Sequence, residues 1–232
     1  MDYTLGIITC SHKRQNILRL WCASIKRIRT DLDIDFPVVC VSDEADKSIC
    51  ESYNIHHITQ TNIPVTAKFN RAMAWMRDQS VDSAIILGSD DICSSLTIKK
   101  IAKDIETGYD VVGINSICFY AADGHFKGQL CKVQASKILG VAKCISRRVL
   151  DEVNWRPWVT DRNWGMDAIV SKAILPHTKS FSTLRDTIVV DIKSRESLNK
   201  STMWFNKIKD REPIEVFINI LGEEEKQILK SL

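Results

Sequence analysis

Residues 85–92 read IILGSDDI: an apolar run that stops at a glycine and a serine and then sets two carboxylates side by side. The apolar half has the makings of a buried strand, and Gly, Ser and Asp are the residues that turns use. No Lys or Arg follows until Lys99, so Asp90 and Asp91 have no local counter-charge, and the segment reads as either an ordinary turn or a cation site. The same form recurs upstream. TLGIITC (4–10) and PVVCVS (37–42) are apolar, β-rich runs, and between them Ile17, Trp21, Ile25 and Ile28 repeat at helical spacing. A second helix is predicted from Thr66 as N-cap, with Phe69, Ala72, Met73 and Met76 on one face, before a strand over 84–87. LTIKKIAKDIE (96–106) predicts a third helix and 110–114 a further strand. Strands that are apolar throughout and alternate with helices predict an α/β fold, a mainly parallel or mixed Rossmann-like sheet with helices on both faces.

Beyond residue 115 the pattern changes. Short runs over 116–145 surround the turn signal Asp123-Gly124, which predicts a hairpin or mixed-sheet insertion. Ser146 is placed to cap a short helix, and a later helix carries Ile169, Ala173 and Ile174. TIVVDIK (187–193) reads as a last strand, and the tail from Met203 as helical and amphipathic. With 232 residues, the expectation is one domain over 1–200, with a first half 1–115 and a second half 116–200, followed by a helical tail 201–232. A composition of 44% hydrophobic and 26% charged residues is that of a soluble globular protein, and a cytoplasmic location is expected. Eight cysteines spread through apolar segments without a Cys-x-x-Cys pair are expected to be reduced core residues. The net charge of +3 neither demands nor excludes a polyanionic partner.

Ligands of open α/β sheets bind beyond the carboxyl ends of the strands. Three polar clusters end strands here: Thr9, Cys10, Ser11, His12, Lys13 and Arg14; Ser42, Asp43 and Glu44; and Ser89, Asp90 and Asp91. Lys68 and Asn70 fall near the start of the second helix, where backbone N–H groups favour phosphate. No Walker-type loop, Gly-x-Gly-x-x-Gly turn or Gly-x-Ser-x-Gly elbow is present, which argues against P-loop enzymes, nicotinamide dehydrogenases and α/β-hydrolases.

The ordered segments GIITCSHKR, VVCVSDEAD, TAKFNRAMAWM, IILGSDDI, GVAKCISRRVLDEV and WGMDAIV resemble a GT-A fold glycosyltransferase of the inverting family-2 type, over roughly residues 4–195. The resemblance implies a nucleoside-diphosphate sugar donor of UDP type, held by Thr9, Cys10, Ser11, Arg14, Asp43, Lys68, Asn70, Ser89 and Asp90. It implies a Mn²⁺ or Mg²⁺ ion on Asp90 and Asp91, with a third ligand late in the chain, for which Asp191, at the end of an apolar strand, is favoured over His177. Gly88 stands where the Asp-x-Asp motif has its first acid. The resemblance also makes Asp167 the catalytic base, and it suggests a loop over 193–199, with Lys193, Arg195 and Asn199, that closes on the diphosphate. Trp155, Trp158 and Trp164 are expected to bind the acceptor, either a glycan or a hydroxylated DNA base of the kind bacteriophages modify, in which case the location is the host cytoplasm. A nucleotidyltransferase and a non-catalytic nucleotide-sugar or nucleic-acid binding module stand as the alternatives.

Overall fold

The first strand, β1 (Leu5–Cys10), is buried because it lies mid-sheet, hydrogen-bonded in parallel to β2 (Val38–Ser42) on one side and β4 (Ser83–Ile86) on the other. The computed structural model describes residues 3–195, 197, 205–208 and 210–232. Among these, one sheet of seven strands runs in the order β10 (Phe181–Leu184), β6 (Val111–Ile114), β9 (Lys143–Ser146), β4, β1, β2 and β3 (His56–Thr59). Only β9 is antiparallel to its neighbours. A second sheet of five strands runs β12 (Arg211–Glu212), β8 (Leu130–Gln134), β7 (Ser116–Ala121), β11 (Val189–Lys193) and β5 (Asp91–Cys93).

The two-residue repeat of a strand divides the core. Leu5, Ile7, Val38 and Cys40 join one apolar cluster, while Ile8, Val39 and Val41 join another on the opposite face. Helices α1 (Gln15–Leu32), α2 (Lys47–Ser52) and α4 (Ser95–Glu106) cover the first face together with the second sheet. Helices α3 (Val65–Arg77), α5 (Arg147–Glu152) and α6 (Met166–Ile174) cover the other. Ile17, Trp21, Ile25 and Ile28 of α1 are all buried, each contributing roughly 1.5–3 kcal/mol by leaving water. The mixed α/β, single-domain fold expected from strand–helix alternation is therefore present. The Asp123-Gly124 turn joins β7 to β8 as an antiparallel hairpin, with Gly124 at φ 75°.

Several boundaries differ from expectation. Helix α3 begins after Pro64 rather than Thr66, whose hydroxyl instead accepts from the Arg162 N–H at 2.9 Å. Strands β3 and β10 escape periodicity because they are short sheet edges with half-polar sequences, HHIT and FSTL. The tail is not one helix: its described residues form β12, α7 (Glu215–Ile218) and α8 (Glu223–Lys230), interrupted around Pro213 and Gly222. Met203 lies outside the described residues. All eight cysteines are free, and all but Cys10 are buried. Among the described residues, no helix is long and apolar enough to cross a membrane.

Candidate active site

The chain leaves β4, and the Leu87 N–H still reaches Ile8 O at 3.1 Å, so the following turn projects from the carboxyl edge of the parallel strands. Gly88 and Ser89 make that turn: the Asp91 N–H donates to Gly88 O at 3.0 Å, and the Gly88 N–H donates to Asp91 Oδ2 at 2.8 Å. Asp91 then opens β5, which runs antiparallel to β11 in a register that sets Asp91 directly opposite Asp191. Like charges at directly opposed positions destabilise a strand pair unless something neutralises them. Asp90, Asp91 and Asp191 each offer a carboxylate oxygen within 4.8 Å of the others.

Two cations offset part of this charge. Arg14 Nη1 donates to Asp90 Oδ2 at 2.5 Å and Nη2 to Ser89 Oγ at 3.3 Å, while Lys193 Nζ donates to Asp191 Oδ2 at 2.5 Å. Asp191 Oδ1 is buried without a partner. Burial, reinforced by Asp90 and opposed by Lys193 and Arg14, pushes the Asp191 carboxyl up to about 7. Burial, with Asp191 and Asp90 adding, raises Asp91 well above the usual carboxylate range. Fully ionised, the three acids would carry more negative charge than Arg14 and Lys193 neutralise, and burial therefore favours protonated forms of Asp91 and Asp191 until another cation is at hand.

The three acids line a cavity of about 510 Å³ that is also lined by Met166 and Asp167 of the N-terminal turn of α6. Asp167 is exposed to that cavity, and its carboxylate rests against the backbone of Gly140: a Cβ there would lie 1.8 Å from Asp167 Oδ1. Behind it Lys143, 4% exposed on β9, donates to Ser171 Oγ at 2.9 Å, one turn along α6 from Asp167. Burial lowers the Lys143 ammonium's pKa and the charge of Asp167 works against that.

No family model and no curated protein matches the sequence. Among solved structures, S. aureus TarS 1-349 superposes with a TM-score of 0.60 at 17% identity, over 97% of this chain and 69% of that one. A longer S. aureus TarS structure gives 0.60 and 17% over 98% of this chain and 42% of that one. The fold is GT-A-like. At this identity the likeness concerns the arrangement of the chain, and the roles of individual side chains rest on the geometry here.

Within the GT-A-like frame, most of the expected residues converge. Cys10, Ser11, Arg14, Lys68, Ser89, Asp90, Asp91, Asp191 and Lys193 line the same cavity as Asp167. Lys68 is almost fully buried and donates to Ser11 O at 2.5 Å and to Asn62 Oδ1 at 3.3 Å, so its ammonium props the loop after β1 beside the acids. Asp43 is held by His12 Nδ1 at 2.6 Å and lines an adjoining depression of about 610 Å³, shared with Arg195, Asp123 and Arg14. The Arg195 N–H donates to Asp123 Oδ2 at 2.8 Å, which fixes the start of the expected closing loop; Asn199 lies outside the described residues.

Other expectations fail. Asn70 spends both ends of its amide on the Trp158 backbone, donating to its O at 2.7 Å and accepting from its N–H at 3.3 Å, and it does not line the cavity. Thr9 is fully buried and does not line the cavity. Trp155 and Trp158 are core residues, each 2% exposed; the Trp158 ring stacks on Phe69 at 4.9 Å, and the Trp155 indole N–H donates to Asp151 at 2.7 Å. Only Trp164 of the three is exposed, with the Arg162 guanidinium 4.9 Å from its ring. His177 faces Glu152 at 3.8 Å, away from the acids, so Asp191 is the third carboxylate. Gly140 and Lys143 were not expected; the signal was present as a lysine inside the apolar run GVAKCI.

Proposed function

We propose that this chain transfers a sugar from a nucleoside-diphosphate sugar to an acceptor hydroxyl, with inversion at the anomeric carbon. The observation that carries this reading is the one cavity lined both by the clustered Asp90, Asp91 and Asp191 and by Asp167. The GT-A-like fold, shared with glycosyltransferase neighbours, supports it.

The residues fit a hard divalent cation. Three oxygen-donor carboxylates converge, one of their oxygens is buried and unpartnered, and two strands oppose like charges in register. Asp90, Asp91 and Asp191 would hold Mn²⁺ or Mg²⁺, which when bound neutralises charge on the departing diphosphate. At Gly88, where the fold's usual motif has an acid, a Cβ would meet Asp91 Oδ2 at 2.5 Å, so an acid there would have to displace the Asp91 carboxylate. Asp91, whose carboxylate fills that space, replaces the missing acid in this reading.

Asp167, open to the cavity at the first turn of α6, takes the acceptor hydroxyl's proton as that oxygen bonds to the anomeric carbon. The bond from the anomeric carbon to the phosphate oxygen breaks, and its electron pair leaves with the nucleoside diphosphate. The acceptor is a glycan or a hydroxylated base in this reading, and Trp164, exposed with Asn163 beside the cavity, is the aromatic residue available to meet it. The absence of an acid at 88 favours a second reading, nucleoside-diphosphate binding without transfer.

Thermal denaturation with nucleoside diphosphates and their sugars, with and without Mn²⁺, tests the binding half. A ligand at 100 times its Kd adds about 2.7 kcal/mol of stability and raises Tm. Asp167→Asn tests the chemistry: turnover falls about 10²–10⁴-fold while the ligand-induced rise in Tm persists. Unchanged turnover removes Asp167 as the base, and no shift with any nucleotide removes the transferase reading.

A further inference from the structure

The acids of the cavity and its cations are already partners. Arg14 lies 2.5 Å from Asp90 and Lys193 2.5 Å from Asp191, with the two cationic side chains 15% and 6% exposed. A divalent ion on the carboxylates must compete with these pairs, since a second positive group within bonding distance is repelled by it. Phosphate oxygens, in turn, are strong partners for a guanidinium fork and an ammonium. Arg14 stands where this is most useful: it lines both the acidic cavity and the adjoining depression with Asp43 and Arg195. Lys68 differs, because a carbonyl and an amide oxygen hold it and no acid competes for it. Two buried atoms show that the cavity's polar wall is incomplete as it stands: Asp191 Oδ1 and Ser11 Oγ both lack a partner, and both residues line it.

We propose that Arg14 and Lys193 are exchange groups. They neutralise Asp90 and Asp191 before ligands arrive, yield those carboxylates to the divalent cation, and turn to the diphosphate oxygens instead. This rests on the transferase reading of the site and adds a consequence that reading does not require. Cation and nucleoside diphosphate then bind with positive coupling carried by two side chains, in the range of about 5- to 150-fold typical of linked sites. Removing either cation therefore has opposite effects on the two ligands. A residue that only contacts phosphate weakens the nucleotide and leaves the bare metal affinity alone.

The test measures Mn²⁺ binding by electron paramagnetic resonance on the metal-free chain, and then binding of UDP, GDP, CDP and ADP by calorimetry in saturating Mn²⁺. The proteins are the native chain, Arg14→Gln, Lys193→Met and Arg14→Lys, each checked for a native melting profile. Arg14→Gln and Lys193→Met are expected to bind Mn²⁺ alone about fivefold or more tighter than the native chain, and the nucleoside diphosphate about fivefold or more weaker. Arg14→Lys, which keeps the charge, stays near native for Mn²⁺. Unchanged or weaker Mn²⁺ binding in either charge-removing variant overturns the exchange, while the transferase reading survives if the native chain binds a nucleoside diphosphate. If the native chain binds none of them, both readings fall together.

Discussion

The geometry around Asp167 depends on what its neighbours lack. Gly140 has no side chain, and the Asp167 carboxylate occupies the space a Cβ would take. Gly140→Ala should therefore push the carboxylate out of place: misplacement by about 1 Å costs on the order of 10²-fold in rate. Since Gly140 is only half-buried, Tm should move little; a steady-state assay paired with a melting curve checks both, and full activity would show that Asp167 need not sit there. The acids that share its cavity make a pH prediction. The Asp191 carboxyl, pushed up to about 7 by burial and Asp90 from its ordinary 3.8, favours the protonated form in the folded chain. Its contribution to stability is fully present below pH about 4 and is lost as pH rises towards 7, because ionisation then costs more in the folded chain than in the unfolded one. A divalent cation binds the ionised form, so the rise in Tm produced by Mn²⁺ should grow between pH 5 and pH 8. Melting curves in chelator and in Mn²⁺ across that range check it; a pH-independent gap would exclude Asp191 as a ligand.

At the scale of elements, one aspartate fastens the edge of the large sheet. Asp110 precedes β6 and accepts from the backbone N–H groups of Lys179 at 2.7 Å and Ser180 at 3.2 Å, just ahead of β10. Arg148 of α5 reaches it with Nε at 2.9 Å and Nη2 at 2.6 Å. Burial works to raise this carboxyl, but Arg148 and the two backbone donors outweigh it and hold Asp110 below its ordinary range. Hydrogen bonds to a charged group contribute about 1.5–3 kcal/mol, so Asp110→Asn should destabilise the chain by about 2–3 kcal/mol in urea at neutral pH. A depressed carboxyl stabilises above its unfolded pKa and loses that contribution as pH falls through its folded value, so the gap between native and variant should close below pH 4. This staple was invisible in the sequence, where Asp110 read as the first residue of a strand: its partners come from two elements about 40 and 70 residues further along.

Across the whole molecule, the end of the chain is clamped to its beginning. Arg27 of α1 donates to Glu225 of α8 at 2.8 Å, to Ser95 at 2.7 Å and to Cys93 O at 2.8 Å, the last at the end of the strand that carries Asp91. Glu225 is 1% exposed and also accepts from the Gly222 N–H at 2.7 Å. Breaking a buried pair by removing one partner costs about 3–5 kcal/mol, so Glu225→Ala should be strongly destabilising, while the double variant Arg27→Met with Glu225→Met should recover part of the loss. A double-variant loss equal to the sum of the Arg27→Met and Glu225→Met losses, measured by urea denaturation, would show the pair to be uncoupled. What the sequence determined by itself was local: strands apolar throughout, helical stripes such as Ile17, Trp21, Ile25 and Ile28, and polar residues at strand ends, which put Asp90 and Asp91 at one edge and Lys68 near a helix start, while Asp167 was singled out by the glycosyltransferase resemblance. These follow from neighbours along the chain, whose spacing decides which face a side chain takes. Tertiary structure alone decided that Asp191 lies opposite Asp91, that Arg14 and Lys193 hold the acids, that Trp155, Trp158 and Asn70 serve the core, and that Gly140 seats the Asp167 carboxylate. Such pairings join segments up to about a hundred residues apart. Their register is chosen by how whole faces fill space and satisfy buried polar groups, which no short window of sequence contains.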